Sequence, residues 1–447
     1  MTDRLHSLTE ALLDAAKRAG AEAADALAVD GTSLSIDIRK GQLEQAERSE
    51  GIELGLRVLI GGRQACVSVS DTSARTIADV AERAVAMARE APNDPHAGLA
   101  DPDQIAQGWD LAAFDLCDPA DEPSAKALEQ DARTAESAAM AVAGIAQVEA
   151  SAGYSKRRMF LAASNGFAGG YARTSRSTSA VAFCGTGTGM ERDWAGESRI
   201  YQSDMPSAES IGALAAERAL ARLGASRPVT GSYPVLFDER VAQTLIGHLL
   251  SAVNGASVAR GSSWLRDALG QQVLPKGFSV IEDPHRPRIG GSRPFDGEGL
   301  PTRRRLIVED GVLTGWTLDL ATGRKLGMPS TANAARGTTA PPSPATSNID
   351  LTPGIATRQQ LIGQMGTGLL VTSMIGSTIN PTTGDYSRGA SGFWVVDGEI
   401  RHPVNECTIA GNLRQMLLSL IAANDARPHL STRVPSLLVE GMTLAGA

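Results

Sequence analysis

The 447-residue chain is 42% hydrophobic and 21% charged, ordinary for a soluble globular protein but too long for one small core, so about two or three domains are expected. Its formal net charge of −8 speaks against a dedicated nucleic-acid binder, because phosphate contacts need a positive surface. No run of about 18 apolar residues occurs, which speaks against a membrane span.

The start, Met1 to His6, has no apolar signal core and leads into a helix. Ser7 and Glu10 have capping-box spacing and place that helix over about 7–18, ended by Gly20. Strands are expected at 24–29 and 33–39, the second alternating through Leu34, Ile36 and Ile38. A hairpin follows over 52–60 and 64–70 across Gly61 and Gly62, then a helix over 71–90. A Pro/Asp-rich connector over 91–103 leads to a helix at 124–143. Strands at 148–156, 158–163, 172–184 and 190–203 and a helix at 207–223 complete this half. Proline and glycine cluster over 227–234 and mark the main boundary.

Beyond it, Asp310-Gly311 and Asp397-Gly398 are hairpin turns, the second between 392–396 and 399–400. A loose loop is expected over 332–353, a buried strand over 368–375, a helix over 412–424 and a last strand over 436–444. The fold class is α+β. It has an N-terminal helix and antiparallel-sheet unit (1–103), a central α+β unit packed with it (104–226) and a β-rich C-terminal domain (227–447).

Phosphate-loop and G-x-S-x-G patterns are absent, and no two of the six histidines lie at H-x-x-x-H spacing. Cys66, Cys117, Cys184 and Cys407 form no C-x-x-C pair, which fits free thiols in a reducing cytoplasm.

One stretch carries more. Across 237–255, Val241, Leu245, Leu249 and Val253 recur every four residues, Asp238 and Glu239 open the segment and Gly255 closes it. His248 interrupts this helix and, as a lone residue, reads as a partly buried histidine bonded to a neighbour. Yet Gln243-Thr-Leu-Ile-Gly-His248 resembles a degraded copy of the H-E-x-x-x-H helix of the TldD/PmbA family of metallopeptidases, in its TldE (PmbA) branch. Three more segments are similar: Pro-Phe-Asp-Gly-Glu-Gly-Leu-Pro at 294–301, Gly-Asp-Tyr-Ser-Arg-Gly-Ala-Ser-Gly-Phe-Trp at 384–394 and Thr-Ile-Ala-Gly-Asn-Leu at 408–413. Each also has a structural reading, with glycines allowing turns or close approach and Asp296, Asp385 and Asn412 capping local backbone.

In the zinc-bearing subunit the resemblance implies two helix histidines and a late cysteine as ligands, with a glutamate polarising the bound water. Here Gln243 stands at the first histidine, Thr244 at the glutamate, and no cysteine follows Cys407. The expectation is therefore no catalytic residue and no metal in this chain, with zinc held by a TldD-like paralogue in a heterodimer. Together the two would enclose a chamber for unfolded or leader peptides, and the isolated chain would be inactive. Candidate groove residues are His248, Asp296, Glu298, Asp385, Trp394 and Asn412, with strand edges at 368–375 or 392–396 taking an extended peptide. Two alternatives stand beside this: a non-enzymatic modulator of DNA gyrase acting through protein–protein contact, and a hydrolase pairing His248 with Cys407.

Overall fold

A computed structural model describes residues 2–446. The first half consists of α1 (Thr2–Ala19), β1 (Ala23–Arg39), β2 (Gln42–Ile60), β3 (Arg63–Val69), α2 (Ala74–Glu90), a short α3 (Leu111–Phe114), α4 (Ala125–Met140), β4 (Ile145–Ala163), β5 (Ala168–Cys184), β6 (Glu191–Arg199) and α5 (Ala208–Leu220). Its strands make one antiparallel sheet in the order β3-β2-β1-β4-β5-β6. The first two sequence units thus share a sheet, since β1 pairs directly with β4.

Period-two alternation puts α1, α2 and α4 on one face of this sheet and turns Leu27 and Val29 of β1 to the other, toward Phe295 of the second half. Ala24, Ala26 and Ala28 of β1 pack beneath α1 and α2, and Leu34, Ile36 and Ile38 pack on Leu128 and Ala132 of α4. Small side chains let the helices approach closely: a Cβ on Gly212 of α5 would lie 2.0 Å from the Ala135 carbonyl oxygen of α4.

Several local expectations change. α1 starts at Thr2, so Ser7 lies inside the helix and not at its cap. The two strands expected at 24–29 and 33–39 are one, because Asp30-Gly31-Thr32 keeps its ladder, with Gly31 opposite both Gly51 and Arg157. Likewise 148–156 and 158–163 are one strand, paired on both sides. Long neighbours on each flank override local turn chemistry here.

The second half contains β7 (Gly231–Phe237), α6 (Glu239–Ala252), α7 (Gly255–Ala259), β8 (Val280–Glu282), β9 (Arg305–Glu309), β10 (Val312–Leu313), α8 (Leu320–Leu326), β11 (Ala334–Ala335), β12 (Ser343–Pro344), β13 (Ile349–Leu351) and α9 (Arg358–Met365). It ends with β14 (Gly368–Ile379), β15 (Asp385–Val396), β16 (Glu399–Asn412), α10 (Leu413–Leu418), β17 (Ile421–Ala422), β18 (Thr432–Arg433) and β19 (Leu437–Ala445). Strands β16-β15-β14-β7-β19 close into a barrel through pairing of β19 with β16, and β10-β9-β8-β13-β18 form a second sheet. α6 buries Ala242, Leu245, Ile246 and Leu249 in the same core as Val235, Phe237 and Val371 of the barrel.

Three differences follow from pairing between distant segments. Residues 231–237 form a central strand despite Pro234, which sits where the β7–β19 register shifts and no ladder donor is needed. The 332–353 stretch is held in place: Asn333 donates to Glu282 at 2.8 Å, Asn348 to Ser292 at 2.7 Å, and β13 pairs with β8. The helix expected over 412–424 stops at Leu418, and Ile421–Ala422 joins β19.

The halves meet through buried charge. Arg57 Nε donates to Asp25 at 2.8 Å, and Arg336 from the second half donates to the other oxygen of the same carboxylate. Arg240 lies 3.4 Å from Asp193, and Arg427 reaches Glu197 at 3.2 Å and Glu239 at 2.9 Å. Among the described residues no helix is long and apolar enough to cross a membrane.

Candidate functional site

On α6, Gln243 is exposed, and the Thr244 hydroxyl donates to the Val241 carbonyl at 2.7 Å, turned back onto its own helix. His248 is half-buried, with its ring 5.8 Å from that of Tyr386 at 72°. Its Nε2 has no hydrogen-bond partner. Burial, and then the Arg388 charge, lower its pKa, so the ring is neutral at pH 7. Tyr386 donates its hydroxyl to the Met374 sulfur at 3.4 Å, and burial pushes the phenol up to about 12. Arg388 Nε donates to the Gly376 carbonyl at 2.8 Å. The 384–394 segment and α6 therefore meet around His248, with the outer half of β14 beside them.

The other candidates lie elsewhere. Exposed Asp385 accepts from Thr383 at 2.6 Å and Asn412 at 3.1 Å, which lower its pKa, while Asn412 also caps α10. Trp394 packs edge-to-face on Tyr233 at 4.9 Å, about 27 Å along β15 from Tyr386 at ~3.4 Å per residue. Cys407 donates to the Ala390 carbonyl at 3.2 Å, and burial pushes its thiol up to about 11, unsuited to a nucleophile. Among the described residues no group of at least three His, Cys, Asp or Glu side chains could hold a metal ion.

Asp296 and Glu298 face the protein interior, not a groove. Asp296 accepts the amides of Glu298 at 2.9 Å, Leu300 at 3.0 Å and Ala334 at 2.9 Å. Burial raises its pKa, opposed by these three donors and by Arg293. Glu298 has one such donor, Leu320 at 2.9 Å, and burial plus the Asp296 charge push it up to about 8. At that value Glu298 holds a proton at neutral pH.

The folded state keeps that proton above the ordinary value of 4.5, where an unfolded chain has released it. This contribution to stability is complete below the ordinary value and falls as pH rises to about 8. Glu298→Gln is expected to flatten the decline, read from thermal midpoints between about pH 5 and 9.

The expected strand edges are largely occupied. Residues 392–396 lie between β14 and β16, and 368–371 between β7 and β15. β7 pairs with β14 only as far as Val371, since the chain then turns into α6. From Ser373 to Ile379, β14 has a neighbour on one side only among the described residues. Ser373, Met374 and Ile375 line a cleft of about 700 Å³ shared with Met190 and Trp194 of the first half. Ile375 is 77% exposed and Trp194 53%, both large apolar groups at the cleft. Nothing in the local pattern marks Met190 and Trp194 as site residues, beyond two large apolar side chains amid a Ser/Thr/Gly-rich run.

Comparison with known proteins matches all three regions. Residues 24–88 match PmbA/TldA metallopeptidase domain 1, 118–223 its central domain and 230–446 its C-terminal domain. The chain is 36% identical to the metalloprotease PmbA of Escherichia coli, over 93% of this chain and 90% of that protein. It is 35% identical to a metalloprotease PmbA homolog of Haemophilus influenzae, over 97% and 94%. A second Haemophilus influenzae protein, a metalloprotease TldD homolog, is 26% identical over 51% of this chain and 48% of its own length. A crystal structure from Bacteroides thetaiotaomicron, described as a proposed modulator of DNA gyrase, superimposes with a TM-score of 0.92 at 27% identity, covering 99% of this chain and 98% of that one.

Proposed function

The chain belongs to the PmbA/TldA metallopeptidase family, and from that membership we propose that it is the non-metal subunit of a two-subunit zinc peptidase acting on unfolded or leader peptides in the cytoplasm. Its part is to bind an extended peptide and help enclose it beside a TldD-like catalytic paralogue. Haemophilus influenzae has both a PmbA-type and a TldD-type relative, which supports a pair of unlike chains.

The zinc that the resemblance implies for the catalytic subunit does not suit these residues. Neutral imidazole and thiolate are the donors such an ion prefers; at the three matching positions α6 offers one imidazole, an amide and a hydroxyl already bonded to its own backbone, and its Glu239 carboxylate is taken by Arg427. No cysteine follows Cys407. No hydrolytic step is therefore assigned to this chain.

The observation that carries the reading is the cleft between the halves, to which Ser373, Met374 and Ile375 of the one-sided stretch of β14 contribute beside Ala390, Ser391 and Cys407 of β15 and β16. An extended peptide added there would bond through its backbone, while Met190, Trp194 and Ile375 meet its side chains without demanding one sequence. Enclosure of the cleft beside a second subunit would keep folded proteins out by size. Incubation of an unstructured peptide with this chain, with its paralogue and with both tests the proposal. Cleavage by the mixture alone is expected, and equal cleavage by this chain alone would reject it.

The description of the Bacteroides relative supports a second reading, contact with DNA gyrase. Retention of gyrase by the immobilised chain at physiological salt would support it, and no retention would remove it.

A further inference from the structure

A second enclosed space lies on the sheet face that meets the C-terminal half. It is a cavity of about 260 Å³ walled by Leu27 of β1, Met159 of β4 and Tyr171 of β5. Three arginines converge on it: Arg157, Arg173 and Arg336. Arg157 and Arg173 are direct partners across β4 and β5, a like-charge pairing that costs stability unless something offsets it. No carboxylate lines the cavity among the described residues.

The guanidiniums are under-used. The Arg336 side chain is 2% exposed and spends one nitrogen on Asp25, while its Nε and the second terminal nitrogen have no partner. Arg173 donates one terminal nitrogen to the Ser292 carbonyl, and its buried Nε is unpartnered. Asp25 shares its single negative charge between Arg336 and Arg57, which leaves the arginines around the cavity with positive charge in excess. Unpaired buried donors are costly, and several converging on one empty volume describe a place built for an acceptor.

We propose that this cavity binds an organic carboxylate about the size of one amino-acid residue, its oxygens held by Arg173 and Arg336 and its apolar body set against Leu27, Met159 and Tyr171. A planar guanidinium matches a carboxylate with two parallel bonds, and the apolar wall leaves a bare inorganic anion poorly packed. Entry is through a wider groove of about 830 Å³ along the same sheet face, which shares Ser155 and exposed Arg157 with the cavity. A peptide C-terminus and a free small acid carry the same chemistry. The inference stands apart from the two-subunit reading, since it concerns this chain alone.

The test is calorimetric titration of the full chain with N-acetyl-leucine, N-acetyl-leucinamide, an Ala-Ala-Ala-Leu peptide with a free C-terminus, and inorganic phosphate. Saturable binding of both free carboxylates is expected, with at least about tenfold weaker binding of the amide. Arg173→Gln is expected to weaken binding about tenfold, and so is Arg157→Gln, whose exposed side chain can be changed without unfolding the sheet. A peptide binding more tightly than the single residue assigns the site to chain ends, and equal affinity assigns it to small acids. Equal binding of acid and amide, no binding of either carboxylate, or phosphate binding as tightly as the organic acids would overturn the proposal.

Discussion

Replacing Asp25 with alanine is expected to destabilise the protein by about 3–5 kcal/mol, because it strands two buried guanidiniums at once. Arg57 and Asp25 are each 3% exposed and Arg336 is 2% exposed, so water cannot take over the lost partner. Burial holds Arg57 below its ordinary pKa and pushes Arg336 down to about 10, which leaves Arg336 charged at neutral pH. Arg57 lies on β2 and Arg336 in the C-terminal half, so the same change also loosens the two halves. Asp30→Ala is the control. Its pair with Arg158, 3.1 Å apart, is about one-quarter exposed on both sides and is expected to contribute no more than about 1 kcal/mol. Urea denaturation followed by circular dichroism compares the two midpoints, and equal shifts would contradict the assigned role of Asp25.

The next largest effect is expected at Gly392. A Cβ there would lie 1.9 Å from the Leu370 carbonyl oxygen and 3.0 Å from the Thr372 nitrogen, both backbone atoms of the neighbouring barrel strand. Gly392→Ala forces β14 and β15 apart beside a register irregularity and is expected to cost about 3 kcal/mol. Gly389 belongs to the same segment, but its nearest obstacle is the Ile375 Cγ2 methyl at 2.6 Å, on a side chain free to rotate into solvent. Gly389→Ala is expected to cost less than about 1 kcal/mol. Thermal midpoints of the two variants make the comparison, and a milder effect at Gly392 would show that the barrel yields there.

The two glycines show what the sequence held and what it withheld. Their place in the 384–394 segment pointed to close backbone approach, but which carbonyl each meets depends on barrel register. α6 was legible because its apolar residues recur at helical spacing and an acidic cap precedes them. The full lengths of β1 and β4 were not, since Gly31 and Arg157 look like breaks until both flanking strands are in place. Barrel closure joins β16 to β19 across a long stretch of chain, and the pairing of β14 with β7 and of β15 with β14 and β16 covers most of the strand edge that local patterns suggest.

The site divides in the same way. His248, Tyr386 and Arg388 come from two recognisable segments and meet. Trp394, Asp296 and Glu298 are in recognisable segments too, but they serve packing and a buried turn. Met190 and Trp194 reach the cleft from the first half, and Arg157, Arg173 and Arg336 share a cavity from three remote positions. No periodicity or spacing encodes such meetings, which depend on how the halves dock.

Metal analysis of this chain alone and of its complex with the TldD-like paralogue tests the central claim most directly. The expected result is no bound zinc in the isolated chain and about one zinc per pair, retained after gel filtration. One zinc per isolated chain, lost on His248→Ala, would contradict it.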